Sequence, residues 1–265
     1  MAAVLEVVVL HPADAQRAAE GGATRVELVG SMAEGGLSPE PAMVADVRRA
    51  TTVELRVMLR LRAGFGTDGA EVTRLRGLAA SYLDAGADAM VMGFLNGHSE
   101  IDLEVCAELA DGWRWTFHRA LDSALDQDRA WRDLRRLPGL DQVLTAGSAR
   151  GVGYGLDDLV ARCRADPQVA RLVVAGGGLR PEHVPWLARA GVTGFHIGTP
   201  ARPQGSYRAY VDPALVASWR SLIDDEVRHP PGTSADSHRQ PASSRRVEAV
   251  IHERTSHEQS ADHHS

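Results

Sequence analysis

Short apolar runs rich in Val, Leu and Ile recur along the chain, each followed by a longer stretch with apolar residues near helical spacing. The runs are Val4–Leu10, Arg25–Val29, Val53–Leu59, Ala89–Met92, Trp113–His118, Asp141–Thr145, Arg171–Val174 and Gly194–Ile197. They are continuous rather than alternating, which suits strands of a parallel sheet buried on both faces. The helical patterns cover Pro12–Glu20, Pro39–Arg49, Val72–Ala85, Leu103–Leu109, Asp126–Leu137, Leu156–Arg164, Pro181–Ala190 and Pro213–Val227. Several open on proline, which costs little in a first helical turn, and several close on a glycine: Gly21, Gly86 and Gly191. This alternation predicts an α/β fold, a parallel (β/α)8 TIM barrel with outer helices, over residues 1–228. A doubly wound open sheet is the rival. Residues 229–265 hold almost no aliphatic side chains and six of the eleven histidines. They predict a disordered His/Ser/Arg-rich tail, because such a segment cannot bury enough apolar surface to offset its ordering entropy.

Composition narrows the chemistry. The chain has 265 residues, is 44% hydrophobic and 24% charged, and carries a formal net charge of -6. A nucleic-acid partner gains no support from that charge, and no apolar run reaches the length of a membrane helix. All 29 basic residues are arginine. No Schiff-base, pyridoxal-phosphate or Walker lysine can exist in this chain. Cys106 and Cys163 lie in helical patterns and read as packing residues. The opening Met1–Glu6 reads as a first strand rather than a signal peptide, which points to a cytoplasmic protein with reduced thiols.

In a barrel, function gathers at the carboxyl ends of the strands. There the sequence offers Glu27, Arg56, Arg60, Thr116, His118, Arg119, Asp122, Thr145 and His196. Period-two alternation puts Glu27 with Val29, Arg56 with Met58 and Arg60, and Thr116 with His118. Charges inside a barrel must be paired or solvated, and Glu6 and Glu27 facing arginines would satisfy that. One reading is a salt-bridge network that only fixes barrel geometry. The other is a pocket for an anionic ligand. Gly176, Gly177 and Gly178 after the seventh strand, with Gly198 and Thr199 after the eighth, sit where barrels often bind phosphate. Arg150–Gly155 lacks the spacing of a dinucleotide fingerprint and reads as a loop. His118 and His196, with Glu6 or Glu27, could bind a divalent ion. His11, His98 and His183 are expected to face solvent.

These residues also form motifs. Leu5-Glu6-Val7, Gly22–Leu28, Glu34-Gly35-Gly36-Leu37-Ser38-Pro39, Val57–Arg60, Thr116-Phe117-His118-Arg119-Ala120-Leu121-Asp122, Val143–Gly147 and Gly176–Glu182 resemble the CutC family, named for copper homeostasis. The resemblance implies a cytosolic TIM barrel, often a homo-oligomer, with copper as its implied ligand. The chain departs from the family pattern at three places. Val29 stands where many members carry cysteine, Arg56 where many carry histidine, and Arg60-Leu61-Arg62-Ala63-Gly64 where Arg-Pro-Arg-Gly-Gly is usual.

Three functions follow as expectations. One is a copper-handling protein with Met58, Met92, His118 and His196 as remaining ligands. Another is an isomerase, epimerase or metal-assisted lyase acting on a small anionic or phosphorylated metabolite. In it Glu27 is general base or metal ligand, His118 a general acid or base beside Asp122, and Arg60 and Arg119 clamp the anion. Gly176, Gly177, Gly178, Gly198, Thr199 and Thr145 then hold phosphate. The third is a non-catalytic barrel scaffold. The anionic reading requires Glu27, Arg60, His118, Gly177 and His196 to converge on one cavity rim.

Overall fold

The chain closes into a barrel of eight parallel strands in sequential order, each neighbour hydrogen-bonded to the next and β8 returning to β1. The structure is a computed structural model that describes residues 3–110 and 112–229. The strands are β1 (Val4–Val9), β2 (Arg25–Leu28), β3 (Glu54–Met58), β4 (Ala89–Met92), β5 (Trp115–Phe117), β6 (Leu140–Thr145), β7 (Val173–Ala175) and β8 (Gly194–Ile197). Around them lie α1 (Pro12–Glu20), α2 (Pro41–Ala50), α3 (Gly69–Asp84), α4 (Leu103–Leu109) and α5 (Gln127–Leu134), then α6 (Val152–Ala165), α7 (Pro167–Leu172), α8 (Val184–Arg189) and α9 (Pro213–Arg228). The TIM barrel expected from the pattern is therefore the fold. The expected tail lies outside the described residues, apart from His229.

Capping explains where most helices begin. Asp68, Asp102, Asp126, Asp166 and Asp212 each accept a hydrogen bond from a backbone N–H of the first turn that follows. Asp166 is where the sequence reading missed an element. It caps α7, which starts on Pro167 and turns Arg171 and Leu172 helical, so β7 begins only at Val173. Arg171–Leu172 is apolar enough to pass for a strand start, but the Asp-Pro cap decides it.

The strand walls separate two cores. Outward residues such as Leu5, Val7, Leu55, Met90, Met92, Trp115 and Phe195 pack against the helices in one large apolar cluster. Val8, Val29, Met58 and Val91 form a second, small cluster inside the barrel. Below them the interior is charged. Arg56 donates from Nη1 and Nη2 to the two oxygens of Asp141 at 2.7 and 2.9 Å, and also reaches Glu54 and Thr116. This buried guanidinium closes the amino-terminal end of the barrel. Arg56 was expected among the groups at the carboxyl ends of the strands; it is the middle residue of β3, and its guanidinium turns toward Glu54 and Asp141 near the strand starts, so it does not line the cavity and its donors are already used.

Candidate functional site

A cavity of about 350 Å3 opens at the carboxyl ends of the strands. Glu27, Arg60, His118, Gly177 and His196 all line it, so the five residues expected to converge do so. Strand register accounts for the floor. Glu6 on β1 lies opposite Arg25 on β2 and His196 on β8, and Glu27 lies opposite Arg56 on β3. Because alternate residues face inward, this layer brings two carboxylates, an imidazole and a guanidinium together in the barrel.

The floor groups are strongly coupled. Arg25 Nε lies 2.6 Å from Glu6 Oε2, and His196 Nδ1 lies 2.7 Å from Glu6 Oε1. Burial alone would raise Glu6, but the Arg25 charge and the bond from His196 hold it down at about 2. An ionised carboxylate only accepts hydrogen bonds, so Nδ1 of His196 carries the proton. Glu27 Oε2 is 3.5 Å from the same Nδ1, and its buried Oε1 has no partner among the described residues. Burial, with the Glu6 charge beside it, pushes Glu27 up to about 7 against the pull of His196. His196 is itself raised: its burial is outweighed by the Glu6 bond and the two carboxylate charges.

His118 sits at the end of β5 in a different setting. Its Nδ1 accepts the N–H of Ala120 at 3.2 Å, and the ring stands edge-on to Phe65 with centroids 5.5 Å apart. Burial, with the nearby Arg60 and Arg119 charges, lowers its pKa to about 3. A proton-cycling general acid or base was expected here. In this setting the ring stays neutral near neutrality, with one N–H and no second proton to cycle.

The two rim arginines are largely committed to the protein. Arg60 donates from Nη1 to the carbonyls of Glu34 and Gly36 and from Nε to that of Gly64, which shapes the loops after β2 and β3. Arg119 pairs with Asp122 at 2.8 Å and donates from Nη2 to the carbonyls of Ser148 and Ala149. Each keeps one terminal nitrogen outside these contacts. A parallel two-pronged clamp was expected; the geometry offers one donor group from each arginine instead.

Several expected site residues support the cavity without lining it. Asp122 accepts hydrogen bonds from Thr145 Oγ1, the Ala146 N–H and Arg119, so Asp122 and Thr145 fix the turn that carries Arg119. Gly177, at φ +90°, leaves space that the Arg119 guanidinium fills; an added Cβ would lie 2.6 Å from its Cζ. Gly198 does the same for Tyr207, whose hydroxyl would lie 2.0 Å from such a Cβ. These glycines were read as room for phosphate, yet their open sides hold the protein's own side chains. Gly176 faces His196 and Leu144, whereas Gly177, Gly178, Gly198 and Thr199 all line the cavity. Met32, Phe65 and Tyr207 also line it and went unnoticed. Gly93 was missed as well: a Cβ there would lie 2.7 Å from His118 Nδ1. Its inward position follows from Ala89 and Val91, four and two residues before it.

Comparison with known proteins places this barrel. The model of the CutC family matches residues 3–200. The chain belongs to the CutC family. A CutC family protein of Xanthomonas axonopodis pv. citri is 35% identical over 198 residues, covering 72% of this chain and 81% of the relative. One from Klebsiella pneumoniae strain 342 is 31% identical over 198 residues, covering 73% and 79%. A solved CutC protein from Streptococcus agalactiae, named for copper homeostasis, superposes with a TM-score of 0.66 at 22% identity. It covers 74% of this chain and 98% of its own, which shows the shared fold.

The copper of the family name can be tested against the donors in this CutC barrel. Copper(I) favours thiolate and thioether ligands. Val29 offers neither, and burial pushes both Cys106 and Cys163, which pack among the helices, up to about 12. Met92 faces the outer core rather than the cavity, which corrects its place among the expected ligands. Among the described histidine, cysteine, aspartate and glutamate side chains, the cluster placed to hold a metal ion is Glu6, Glu27 and His196. His118, expected in that set, is absent from it. Its Nδ1 lone pair is taken by Ala120, which leaves the ring proton on Nε2 and no lone pair for a metal. The remaining trio is a hard oxygen and nitrogen set, with Arg25 already balancing Glu6. These residues do not fit a copper(I) centre. Among the described residues no helix is long and apolar enough to cross a membrane. His183, expected in solvent, is buried, and its Nδ1 accepts the Arg180 N–H ahead of α8.

Proposed function

We propose that the open end of this CutC barrel binds a small anionic metabolite and moves a proton on it, in an isomerase or epimerase reaction. The observation that carries this is Glu27: a buried carboxyl at the cavity wall with an unpartnered oxygen, held up at about 7. A base whose pKa lies near the working pH combines the right protonation state with driving force. His196, 3.5 Å away, steadies the carboxylate when it forms. Arg60 supplies positive charge at the rim that no carboxylate contacts directly, and Arg119 adds a terminal nitrogen. The absence of lysine excludes Schiff-base chemistry.

The test is deuterium exchange. The protein is incubated in heavy water with a panel of small phosphorylated and carboxylated keto compounds, and uptake of solvent deuterium is read by mass spectrometry. The expected result is uptake into at least one compound, lost in Glu27→Gln. Uptake into none, or uptake that survives the substitution, refutes the reading and leaves a non-catalytic barrel.

A copper-handling role has one observation in its favour: the thioethers of Met32 and Met58 line the cavity together with His196. Copper(I) titration of a chain ending at Arg228 separates this from binding by tail histidines. Stoichiometric uptake at micromolar protein, abolished by Met58→Leu, would support it; no uptake removes it.

A further inference from the structure

We infer that His118 selects the ligand: its Nε2–H donates a hydrogen bond to an acceptor oxygen at the inner end of the bound molecule. The oxygen would belong to a carbonyl, carboxylate or phosphoryl group. This inference rests on the reading of the cavity as an anion site and adds the chemistry of the ligand's buried end.

The argument starts from the tautomer. A neutral imidazole has one lone pair and one N–H. The Ala120 N–H donates to Nδ1 at 3.2 Å, so Nδ1 holds the lone pair and Nε2 holds the proton. Nε2 is buried and has no hydrogen-bond partner among the described residues, although His118 lines the cavity. Native proteins rarely leave such a donor unmatched.

The ring is also held in place. Phe65 and Phe117 stand edge-on to it, with centroids 5.5 and 6.2 Å away. Gly93 leaves just the space the ring occupies, since a Cβ there would lie 2.7 Å from Nδ1 and 3.0 Å from Cε1. Turning the ring over would break the Ala120 bond. The charged groups that face it are Arg60 and Arg119, and both oppose a second proton on the ring. His118 is thus a donor of fixed direction that keeps its neutral form through the physiological range. A buried donor of this kind discriminates strongly, because a ligand lacking the acceptor leaves it unmatched. Ligands that present only ammonium or amide N–H groups at that end are rejected.

Nitrogen-15 NMR of the uniformly labelled full chain tests this, with inorganic phosphate and pyruvate as probes. The His118 signals are assigned by their loss in His118→Gln. The expected result is a neutral ring protonated on Nε2 from pH 5 to 8, whose Nε2 resonance moves on addition of a probe. Affinity for that probe should fall about tenfold in His118→Phe, the scale of one hydrogen bond, and recover in His118→Gln, which keeps a donor. A ring protonated on Nδ1, or one that titrates near neutrality, overturns the inference whatever binds. Movement of the backbone signals of Gly178 and Thr199 without movement of Nε2 overturns it while leaving the anion site standing. No response of any cavity signal to either probe overturns both.

Discussion

Glu27→Gln should remove Glu27's share of a pH dependence of stability that is built into the barrel floor. Burial moves the Glu27 carboxyl from 4.5 to about 7. Below pH 4.5 the folded and unfolded chains both hold this proton, and above pH 7 neither does. Between those limits the folded chain keeps a proton that the unfolded chain has lost, so stability falls as pH rises. At about 1.4 kcal/mol per tenfold change in proton affinity, the loss contributed by Glu27 is about 3 kcal/mol. His196 acts in the same direction: its raised pKa gives stability that is present below 6.5 and lost as pH rises through the folded value. Glu6, held at about 2, contributes stability above 4.5 that is lost only in stronger acid, outside this window. Glutamine keeps the size and polarity of the side chain and cannot ionise. Thermal melts of wild type and variant from pH 4.5 to 8 should therefore diverge. The variant should gain about 6–12 °C on wild type across that range, given about 2–4 °C per kcal/mol for a domain of this size. Parallel curves would refute the coupling assigned to the floor.

Three further substitutions probe the scaffold around the cavity, each read by urea denaturation. Gly93→Ala should cost about 1–3 kcal/mol, because its Cβ meets His118 Nδ1 at 2.7 Å and Phe117 Cε1 at 3.0 Å; an unchanged midpoint would mean that the ring moves freely. Asp122→Ala should cost about 1–3 kcal/mol by leaving the buried Ala146 N–H unmatched, and a loss below 0.5 kcal/mol would count against its role as the anchor of the Arg119 turn. Arg56→Ala should cost about 1–3 kcal/mol, since it removes the buried donor shared by Asp141, Glu54 and Thr116 while Arg114, 3.4 Å from both carboxylates, still offsets their charge; a neutral result would show that water enters the barrel floor.

The barrel was legible because the strands are continuous apolar runs and the helices carry proline and aspartate at their starts. The convergence of Glu27, Arg60, His118, Gly177 and His196 was legible too, because strand ends in a closed barrel can meet only at one rim. What could not be read was the state of each group. The neutrality of His118 depends on its burial and on two arginines, one of them fifty-eight positions away along the chain, and its tautomer on the Ala120 amide. The glycines after β7 and β8 signal space but not its occupant, and here Arg119 and Tyr207 take it. Arg56 was assigned to the wrong end because the turn of its guanidinium toward Glu54 and Asp141 is invisible in a single strand. His183 looked exposed because a proline-led helix start usually is, yet its ring turns back to cap that start.

The choice between a structural salt-bridge network and a binding site has a physical answer at each level of the interior. Toward the amino-terminal end, Arg56 is matched by Asp141, Glu54 and Thr116, and the Arg25 charge by Glu6, although Arg25 Nη2 has no hydrogen-bond partner among the described residues. Such pairs neutralise one another and ask for no ligand. At the cavity the unmatched atoms belong to groups that line open space. Glu27 Oε1 and His118 Nε2 are both buried, both lack a hydrogen-bond partner among the described residues, and both belong to residues that line the same cavity. Unmatched buried polar atoms cost stability, and a chain under selection only to fold would lose little by replacing either side chain with an apolar one of similar size. Their complementary characters, an acceptor that can take a proton and a fixed donor, are what the proposed function requires of its ligand site. The network and the site are thus two layers of one charged interior, with the lower layer holding the upper one in place.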